Sequence, residues 1–252
     1  MRKILITSIG RTATLSLSKF LNTFENVQCF HEKERQDVPL FFLSQIDQFS
    51  NLVKGYFEHR NTTVNNLNCS TYIEVNPYFR FVDETLLKSL GWRKIGVVRH
   101  PKTYLESVFV RKLFTESDVL CSQFPDNSDA VSATWHTLSR FQKLCWYYGE
   151  VHEYFLKSNL PIYRFEDLVG SSSHLKNFVS DMGLPVSEKD TWKLPKHNTA
   201  LEFATKQKIA SIFKKERSES PSLNWKAITP SEMDFYQEYC VNPAKKLGYA
   251  IQ

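Results

Sequence analysis

The chain of 252 residues is poor in glycine, with only 8. An average protein, at about 7% glycine, would have roughly twice as many. A phosphate site built from a run of glycines is therefore excluded. This disfavours both a Walker A loop and the G-x-G-x-x-G signature of dinucleotide-binding proteins.

Paired cysteines and long apolar runs are also missing. The five cysteines are scattered, without CxxC or a Cys/His spacing suited to zinc, so we expect reduced thiols and no metal. The opening segment MRKILITSIGR has too few apolar residues for a signal peptide or a membrane span. These absences predict a cytoplasmic protein that does not act at a membrane.

Charge is only moderately unbalanced. The 32 Lys and Arg exceed the 27 Asp and Glu, which gives a formal net charge of +5. Such an excess suits an anionic ligand, and it is equally typical of an ordinary surface. The basic residues form no concentrated patch, so no nucleic-acid partner is expected. The hydrophobic share of 42% is enough for a substantial core.

Strands alternate with helices along the sequence. This alternation predicts an α/β fold with a parallel sheet covered by helices on both faces. No linker-like stretch divides the chain, so one domain is expected over residues 1–252. Apolar runs predict strands at 3–8, 27–30, 71–75, 94–98 and 160–163. Helical spacing predicts helices at 14–24, 39–56, 81–90, 102–114, 130–157, 172–182, 201–215 and 230–247.

The segment between the first strand and the first helix can bind an anion. Backbone amides at a helix start are unpaired, and the helix dipole favours negative charge there. Arg11 adds a forked cation, and Thr12 and Thr14 add hydroxyls. A capped helix with a surface arginine would use the same residue types, so both interpretations stay open. The candidate residues are Gly10, Arg11, Thr12, Ala13, Thr14 and Leu15. No Walker lysine follows, which argues against an ATP-hydrolysing site.

A second candidate element is RHPKTYLES, residues 99–107, directly after the fourth strand. Arg99 at the strand end and Ser107 two helical turns later can converge on one phosphate, although a capped helix with a surface serine is the alternative. Together the two elements resemble the PAPS-dependent sulfotransferase family. In that family a GRSGT(T/S)-L loop binds the phosphosulfate end of PAPS, and a strand followed by R-x-x-x-x-x-x-x-S binds the ribose phosphate.

The resemblance extends over residues 3–249. Thr12 stands for the usual serine of the first motif and Ala13 for the usual glycine, while Arg99 and Ser107 keep the spacing of the second. PIYRFEDL, at 161–168, resembles a further family segment. FKKER at 213–217, ahead of NWK at 224–226, is similar to a basic loop of the family without its glycine. The resemblance implies a P-loop-like five-stranded parallel sheet with PAPS as co-substrate and PAP as product. It also implies phosphate contacts from Lys214, Lys215 and Arg217.

The general base is expected just after the second strand, in CFHEKER. Carbohydrate-type and several bacterial family members have a catalytic glutamate there, so the resemblance favours Glu32 as the base and His31 as the second choice. A solvated charged turn is the alternative. Arg11 would neutralise charge on the leaving phosphate. Val75 stands where the family has a lysine, which gives Arg11 a larger share of that task.

Acceptor contacts are expected from two places. IEVNPYF, at 73–79, resembles the family segment EK(S/T)PxYF, and the predicted helix at 130–157 has aromatic and histidine side chains. Most aromatic residues at helical spacing are core residues, so this assignment competes with simple packing. The candidates are Glu74, Asn76, Tyr78, Trp135 and His136. A small-molecule alcohol, phenol or amine is the expected acceptor. A P-loop-type nucleotide or small-molecule kinase and a non-catalytic anion-binding module are the alternatives.

Overall fold

Five parallel strands form the sheet of the protein. The computed structural model describes residues 1–111, 113–116, 118, 123–186, 192–195 and 222–251. By its internal contacts the chain divides into two compact units. The first comprises Met1–Arg99 with Lys157–His197, and the second His100–Leu156 with Asn198–Gln252. The expectation of one domain over 1–252 stays a prediction.

The sheet lies entirely in the first unit and confirms the α/β fold class. Its strand order is β2-β3-β1-β4-β5, and every neighbouring pair is parallel. All five predicted strands are present, with ends within two residues of the expected ones. The carboxyl ends of the strands therefore meet at one edge. The strands are β1 Arg2–Ser8, β2 Val27–His31, β3 Thr71–Val75, β4 Trp92–Val98 and β5 Ile162–Arg164.

Helices precede or follow each strand. In chain order they are α1 Thr14–Leu21, α2 Asp37–Leu43, α3 Ser50–Asn65, α4 Glu84–Ser89, α5 Pro101–Phe109, α6 Arg140–Lys157, α7 Phe165–Gly170, α8 Ser172–Asp181, α9 Pro230–Tyr236 and α10 Asn242–Lys246. Short 3-10 helices occupy Asp47–Phe49, Pro77–Phe79, Ser132–Thr137 and Trp225–Ala227. No helix among the described residues is both long enough and apolar enough to cross a membrane.

Alternate residues of each strand supply two cores, one on each face of the sheet. Ile4 and Ile6 of β1 pack in a cluster with Leu17 of α1 and Phe178 of α8. Leu5, between them, belongs to the opposite cluster, which includes residues of α2 and α3. Complete burial of such a side chain contributes roughly 1.5–3 kcal/mol. Two filled faces leave the edge of the sheet as the place where loop side chains can assemble.

Two predicted helices are interrupted, and a third, expected at 102–114, ends already at Phe109. The helix expected at 39–56 is two helices, because Ile46 adopts an extended conformation (φ −121°, ψ 111°) between α2 and α3. The helix expected at 130–157 begins only at Arg140, because Leu138 is extended (φ −64°, ψ 136°) after the 3-10 helix Ser132–Thr137. The amphipathic spacing continues through both breaks, so periodicity alone does not reveal them.

The second unit is helical and rich in aromatic contacts. The ring centroid of Phe141 lies 5.9 Å from that of Trp225 and 6.4 Å from that of Tyr236. The Arg140 guanidinium donates to the carbonyls of Phe109, Arg111 and Leu113 and so satisfies backbone acceptors at the end of α5. The helix predicted at 230–247 runs through α9, a π-helical segment Gln237–Val241 and α10. The helix predicted at 201–215 lies outside the described residues.

Candidate functional site

The carboxyl ends of β1 and β4 form a topological switch point in the first unit. From β1 the chain proceeds to β2 on one side of the sheet, and from β4 it proceeds to β5 on the other side. The two connections diverge, and open α/β sheets bind their ligands in the crevice that such divergence leaves. The segment 9–13 follows β1 and Arg99 follows β4, so both predicted anion-binding elements begin here.

The loop after β1 contains three residues with positive φ. Gly10, Arg11 and Ala13 have positive φ (91°, 59° and 52°), whereas Thr12 and Thr14 do not. From Arg11 to Thr14 residues with and without positive φ alternate, a pattern that can turn successive backbone N–H groups toward one concavity, as in phosphate-binding loops. Two non-glycine residues in this region are uncommon and carry strain. The strain is located at the predicted anion site.

The N-terminus of α1 is left without a side-chain cap. Ala13 occupies the N-cap position, where it offers no acceptor, and no acidic residue lies in the first turn. The first amides of the helix therefore keep their partial positive charge available for an anion. Thr12 is only 3% exposed, and its Oγ1 has no hydrogen-bond partner among the described residues. A buried, unsatisfied hydroxyl of this kind costs roughly 1–3 kcal/mol and fits a site that a ligand completes.

Two guanidinium groups hold the loop from either side. Arg99 Nη1 donates to the carbonyl of Arg11, and its guanidinium carbon lies 5.0 Å from the centroid of the Phe165 ring. Arg80 is buried, and its Nη1 donates to the Ile9 carbonyl at 3.1 Å. Each arginine thus fixes a carbonyl next to the loop and adds positive charge there. The sequence analysis missed Arg80, because nothing local marks it as buried.

Lys94 supports Arg80 from inside β4. Its Nζ donates to the carbonyls of Arg80 and Val82 at 2.8 and 2.7 Å. Burial lowers the pKa of Lys94 to about 7, while the carboxylates of Glu84 and Asp83 act in the opposite direction. The 3-10 segment after β3 is therefore anchored by a lysine that can lose its proton near neutral pH.

The two candidate bases, His31 and Glu32, lie at the carboxyl end of β2, and His31 contacts Thr14 of the loop. His31 is the last residue of β2, and its Nε2 lies 2.8 Å from Thr14 Oγ1 and 3.5 Å from Glu32 Oε1. Burial lowers the pKa of His31, and the Glu32 carboxylate partly offsets this. Glu32 is exposed and adopts a left-handed conformation with φ 45°. A glutamate in this region is strained, and such strain is concentrated at functional sites.

A buried charge network occupies the ends of β2 and β3. Arg60 of α3 donates to Glu74 from Nε and Nη2 (2.6 and 2.7 Å) and to Asp37 from Nη1 and Nη2 (3.1 and 3.3 Å). Tyr72 donates to Glu74 Oε1 at 2.8 Å, and the Tyr56 hydroxyl donates to Asp37 Oδ1. Asp37 and Glu74 are 0% and 1% exposed. The sequence analysis missed the roles of Asp37 and Arg60.

The predicted acceptor residues after β3 are tied into this network. Both oxygens of Glu74 accept from Arg60, and Asn76 Nδ2 donates to Asp37 Oδ2 at 2.7 Å. Asn76 Oδ1 accepts from the Tyr78 amide at 3.0 Å, which caps the 3-10 helix Pro77–Phe79. Glu74 and Asn76 are thus buried with internal partners, and Tyr78 is half-buried. Their assignment to acceptor binding stays a prediction.

The remaining candidates lie elsewhere. Leu15 is the half-buried second residue of α1. In the second unit, Ser107 is buried on α5, and Trp135 is buried with its ring centroid 4.9 Å from that of Trp146. His136 is exposed on the 3-10 helix Ser132–Thr137, which corrects the expectation that it belongs to the long helix. Lys214, Lys215 and Arg217 lie outside the described residues. Across the described ranges, no group of three or more His, Cys, Asp and Glu could hold a metal ion.

Comparison with known proteins gives structural likeness only. No family model and no curated protein matches the chain. Mouse sulfotransferase SULT7A1 complexed with PAP is 13% identical, with 99% of this chain and 89% of that chain covered at a TM-score of 0.45. The sulfotransferase domain from the curacin biosynthetic pathway is 11% identical, with 100% and 99% covered at a TM-score of 0.45. Likeness at this level assigns neither family nor activity, and the fold described above rests on the strand order itself.

Proposed function

We propose that the chain is a sulfotransferase that moves a sulfuryl group from PAPS to a hydroxyl or amine of a small-molecule acceptor. The observation that carries the proposal is the loop 10–14. It combines alternating positive φ, an uncapped helix start and an adjacent arginine at the switch point with the GRTAT sequence. An anion site that lacks the Walker lysine favours a donor other than ATP with magnesium.

The donor side has the groups that this chemistry needs. The acceptor atom would form a bond to sulfur while the bond from sulfur to the bridging phosphate oxygen breaks, and PAP would leave with the electron pair. Arg11, the loop amides and the Thr12 hydroxyl would bind the leaving phosphate. Charge-assisted bonds contribute roughly 1.5–3 kcal/mol each when they form to developing charge. These groups would bind the leaving phosphate without a metal ion.

The acceptor proton would pass to Glu32. This carboxylate is exposed beside His31, whereas Glu74 is buried and its oxygens already accept from Arg60 and Tyr72. Glu32 is therefore the stronger candidate base at the ends of β2 and β3. His31 is the second candidate, because its Nε2 already contacts Thr14.

Binding of PAP tests the donor assignment. Saturating PAP at about 100 times its dissociation constant should stabilise the wild type by about 2.7 kcal/mol, seen as a rise in melting temperature. Arg99→Ala should remove that rise. Arg93→Ala is the matched control, since Arg93 lies on β4, the strand that ends just before Arg99, and its side chain donates to the Asp181 carbonyl instead. Absence of any shift with millimolar PAP, or equal loss in the control, would contradict the proposal.

A turnover assay tests the assignment of the base independently of the donor site. Incubation with PAPS and a panel of alcohols, phenols and amines should yield products heavier by one SO3 unit. Glu32→Gln should lower the rate by about 10²- to 10⁴-fold and leave the PAP-induced shift intact. A kinase would instead be stabilised more by ATP with magnesium than by PAP. A non-catalytic module would bind many anions with a steep dependence on salt.

A further inference from the structure

The contact between His31 and Thr14 joins the two halves of the candidate site. Thr14 is the first residue of α1 and the last residue of the anion-binding loop, whereas His31 ends β2 next to Glu32. The Nε2···Oγ1 distance of 2.8 Å is a hydrogen bond. Thr14 of the loop is therefore hydrogen-bonded to His31, the residue that precedes the proposed base Glu32.

The same ring nitrogen of His31 lies near both Thr14 and Glu32. Glu32 Oε1 lies 3.5 Å from the same Nε2, too far for a good hydrogen bond but close enough for an ion pair if the ring is protonated. If the Thr14 hydroxyl donates to an anion in the loop, its oxygen can still accept from Nε2–H. This tautomer leaves Nδ1 ready to take up a proton.

Few charges face His31. Val27 and Cys29 of β2 belong to the cluster that contains α1, and His31 continues that face. Of the ionisable groups on the elements packed against it, Lys19 of α1 is exposed in the last turn, and Glu74 of β3 is held by Arg60. Lys33 lies over the Phe30 ring. Among the described residues, Glu32 is the charged group whose distance to the His31 ring marks an ion pair.

We propose that His31 is a positioning residue through which an anion bound by the loop 10–14 is coupled to Glu32. The bound anion orients the Thr14 hydroxyl and favours uptake of one proton from solvent by the His31 imidazole. The imidazolium then pairs with the Glu32 carboxylate and holds that strained residue in place for the acceptor. This inference rests on the proposed function for the identity of the anion, but not for the coupling itself.

The coupling has a defined pH dependence. In the free protein, burial lowers the pKa of His31 and thus favours the neutral ring, while the Glu32 carboxylate acts in the opposite direction. An anion at the loop raises this pKa, because negative charge favours the cation. By linkage, anion affinity then increases as pH falls from the pKa of the bound state to that of the free state. The limit for one linked proton is about tenfold per pH unit.

Proton uptake on binding is the direct measurement. PAP is titrated into the protein by calorimetry in two buffers of different ionisation enthalpy, from pH 5.5 to 8.5. PAP phosphates contribute their own protons, so the result is the difference between the wild type and His31→Gln. Glutamine keeps an Nε2 donor near Thr14 but does not titrate. We expect the wild type to take up more protons than His31→Gln and to show the steeper pH dependence of affinity.

Three further variants sharpen the result. His59→Gln removes an exposed histidine of α3 and should match the wild type. Thr14→Val removes the hydroxyl at constant shape and should lose the extra uptake, and Thr14→Ser should restore it. Equal uptake by wild type and His31→Gln overturns the proposal.

Inorganic sulfate separates this proposal from the sulfotransferase assignment, since sulfate does not titrate in this range. If PAP fails to bind but sulfate binds with His31-dependent proton uptake, the coupling holds and the nucleotide assignment fails. If neither anion binds, both are overturned. If His31→Gln does not fold, the imidazole NMR titration of the wild type decides instead. Its midpoint should rise on addition of sulfate, and an unchanged midpoint overturns the coupling.

Discussion

Replacement of Arg60 by methionine tests the buried network most severely. Arg60 is 5% exposed, and its guanidinium donates four bonds to two carboxylates that are themselves buried. Methionine has a similar volume, so Arg60→Met leaves little cavity. The substitution removes the guanidinium that Asp37 and Glu74 share. The perturbation is therefore electrostatic, and its size follows from the contacts that remain.

Those remaining contacts include four neutral donors, one of which is the Glu34 amide, 3.3 Å from Asp37 Oδ2. Tyr56 and Asn76 still donate to Asp37, and Tyr72 still donates to Glu74. Removal of one partner from a buried ion pair typically costs about 3–5 kcal/mol, because an uncompensated charge stays behind. Two carboxylates lose their cation here, which raises the cost, and four hydrogen bonds to them persist, which lowers it. We expect a loss of about 3–5 kcal/mol in the free energy of unfolding.

Urea unfolding followed by tryptophan fluorescence measures this loss. Lys54→Met is the matched control on the same helix, since Lys54 forms only an exposed pair with Glu58 at 3.8 Å, and its loss should cost at most about 0.5 kcal/mol. Adding Glu74→Gln to Arg60→Met removes one stranded charge and should recover stability, although Glu74→Gln alone destabilises the wild type. A double variant less stable than Arg60→Met, or a single loss below about 1 kcal/mol, would refute the electrostatic argument.

Two further predictions concern the loop and its support. Ala13 has φ 52°, a conformation in which glycine is unstrained. Ala13→Gly should therefore increase the free energy of unfolding by up to about 1 kcal/mol, seen as a higher urea midpoint, and Ala13→Val should lower the midpoint. A lower midpoint for Ala13→Gly would contradict this. The pKa of Lys94 is lowered from 10.5 to about 7 in the fold. Between these two pH values the unfolded chain holds a proton on Lys94 that the folded chain has lost, so folding stability rises with pH over this range. Relative to Lys94→Met, the wild type should gain about 2 kcal/mol between pH 7 and pH 9 in urea unfolding, whereas parallel pH profiles would show that Lys94 stays charged in the fold.

The strands and the loop could be predicted because their signals are local. KILITS and KIGVV are apolar runs with polar or glycine residues after them, and both became strands with the expected carboxyl ends. GRTAT then falls between a strand and a helix. Parallel strands place these ends at one edge, which alternation predicts, and the pairing of β1 with β4 in the structure brings Arg11 and Arg99 together. The hydrogen bond from Arg99 to the Arg11 carbonyl is the result.

The network and the His31 contact could not be predicted, because their partners are distant in sequence. Arg60 meets carboxylates 23 and 14 residues away, and in sequence it resembles any solvated arginine of a polar helix. The contact from His31 to Thr14 spans 17 residues and depends on α1 packing against β2. The predicted bounds of two helices were wrong for a different reason. The extended conformations of Ile46 and Leu138 interrupt stretches whose amphipathic spacing continues unbroken.

The position of β3 between β2 and β1 bears on which residues would act in the proposed site. β3 lies between β2 and β1, and Val75 at its end provides no cation. Both oxygens of the Glu74 carboxylate accept from Arg60, so this side chain stabilises the fold at the strand end. In the proposed function, positive charge for the donor would come from the loops after β1 and β4 and from Arg80, and Glu32 after β2 would accept the proton. Variants at the donor loops should therefore change anion binding with little loss of stability, whereas variants in the Arg60 network should change stability first.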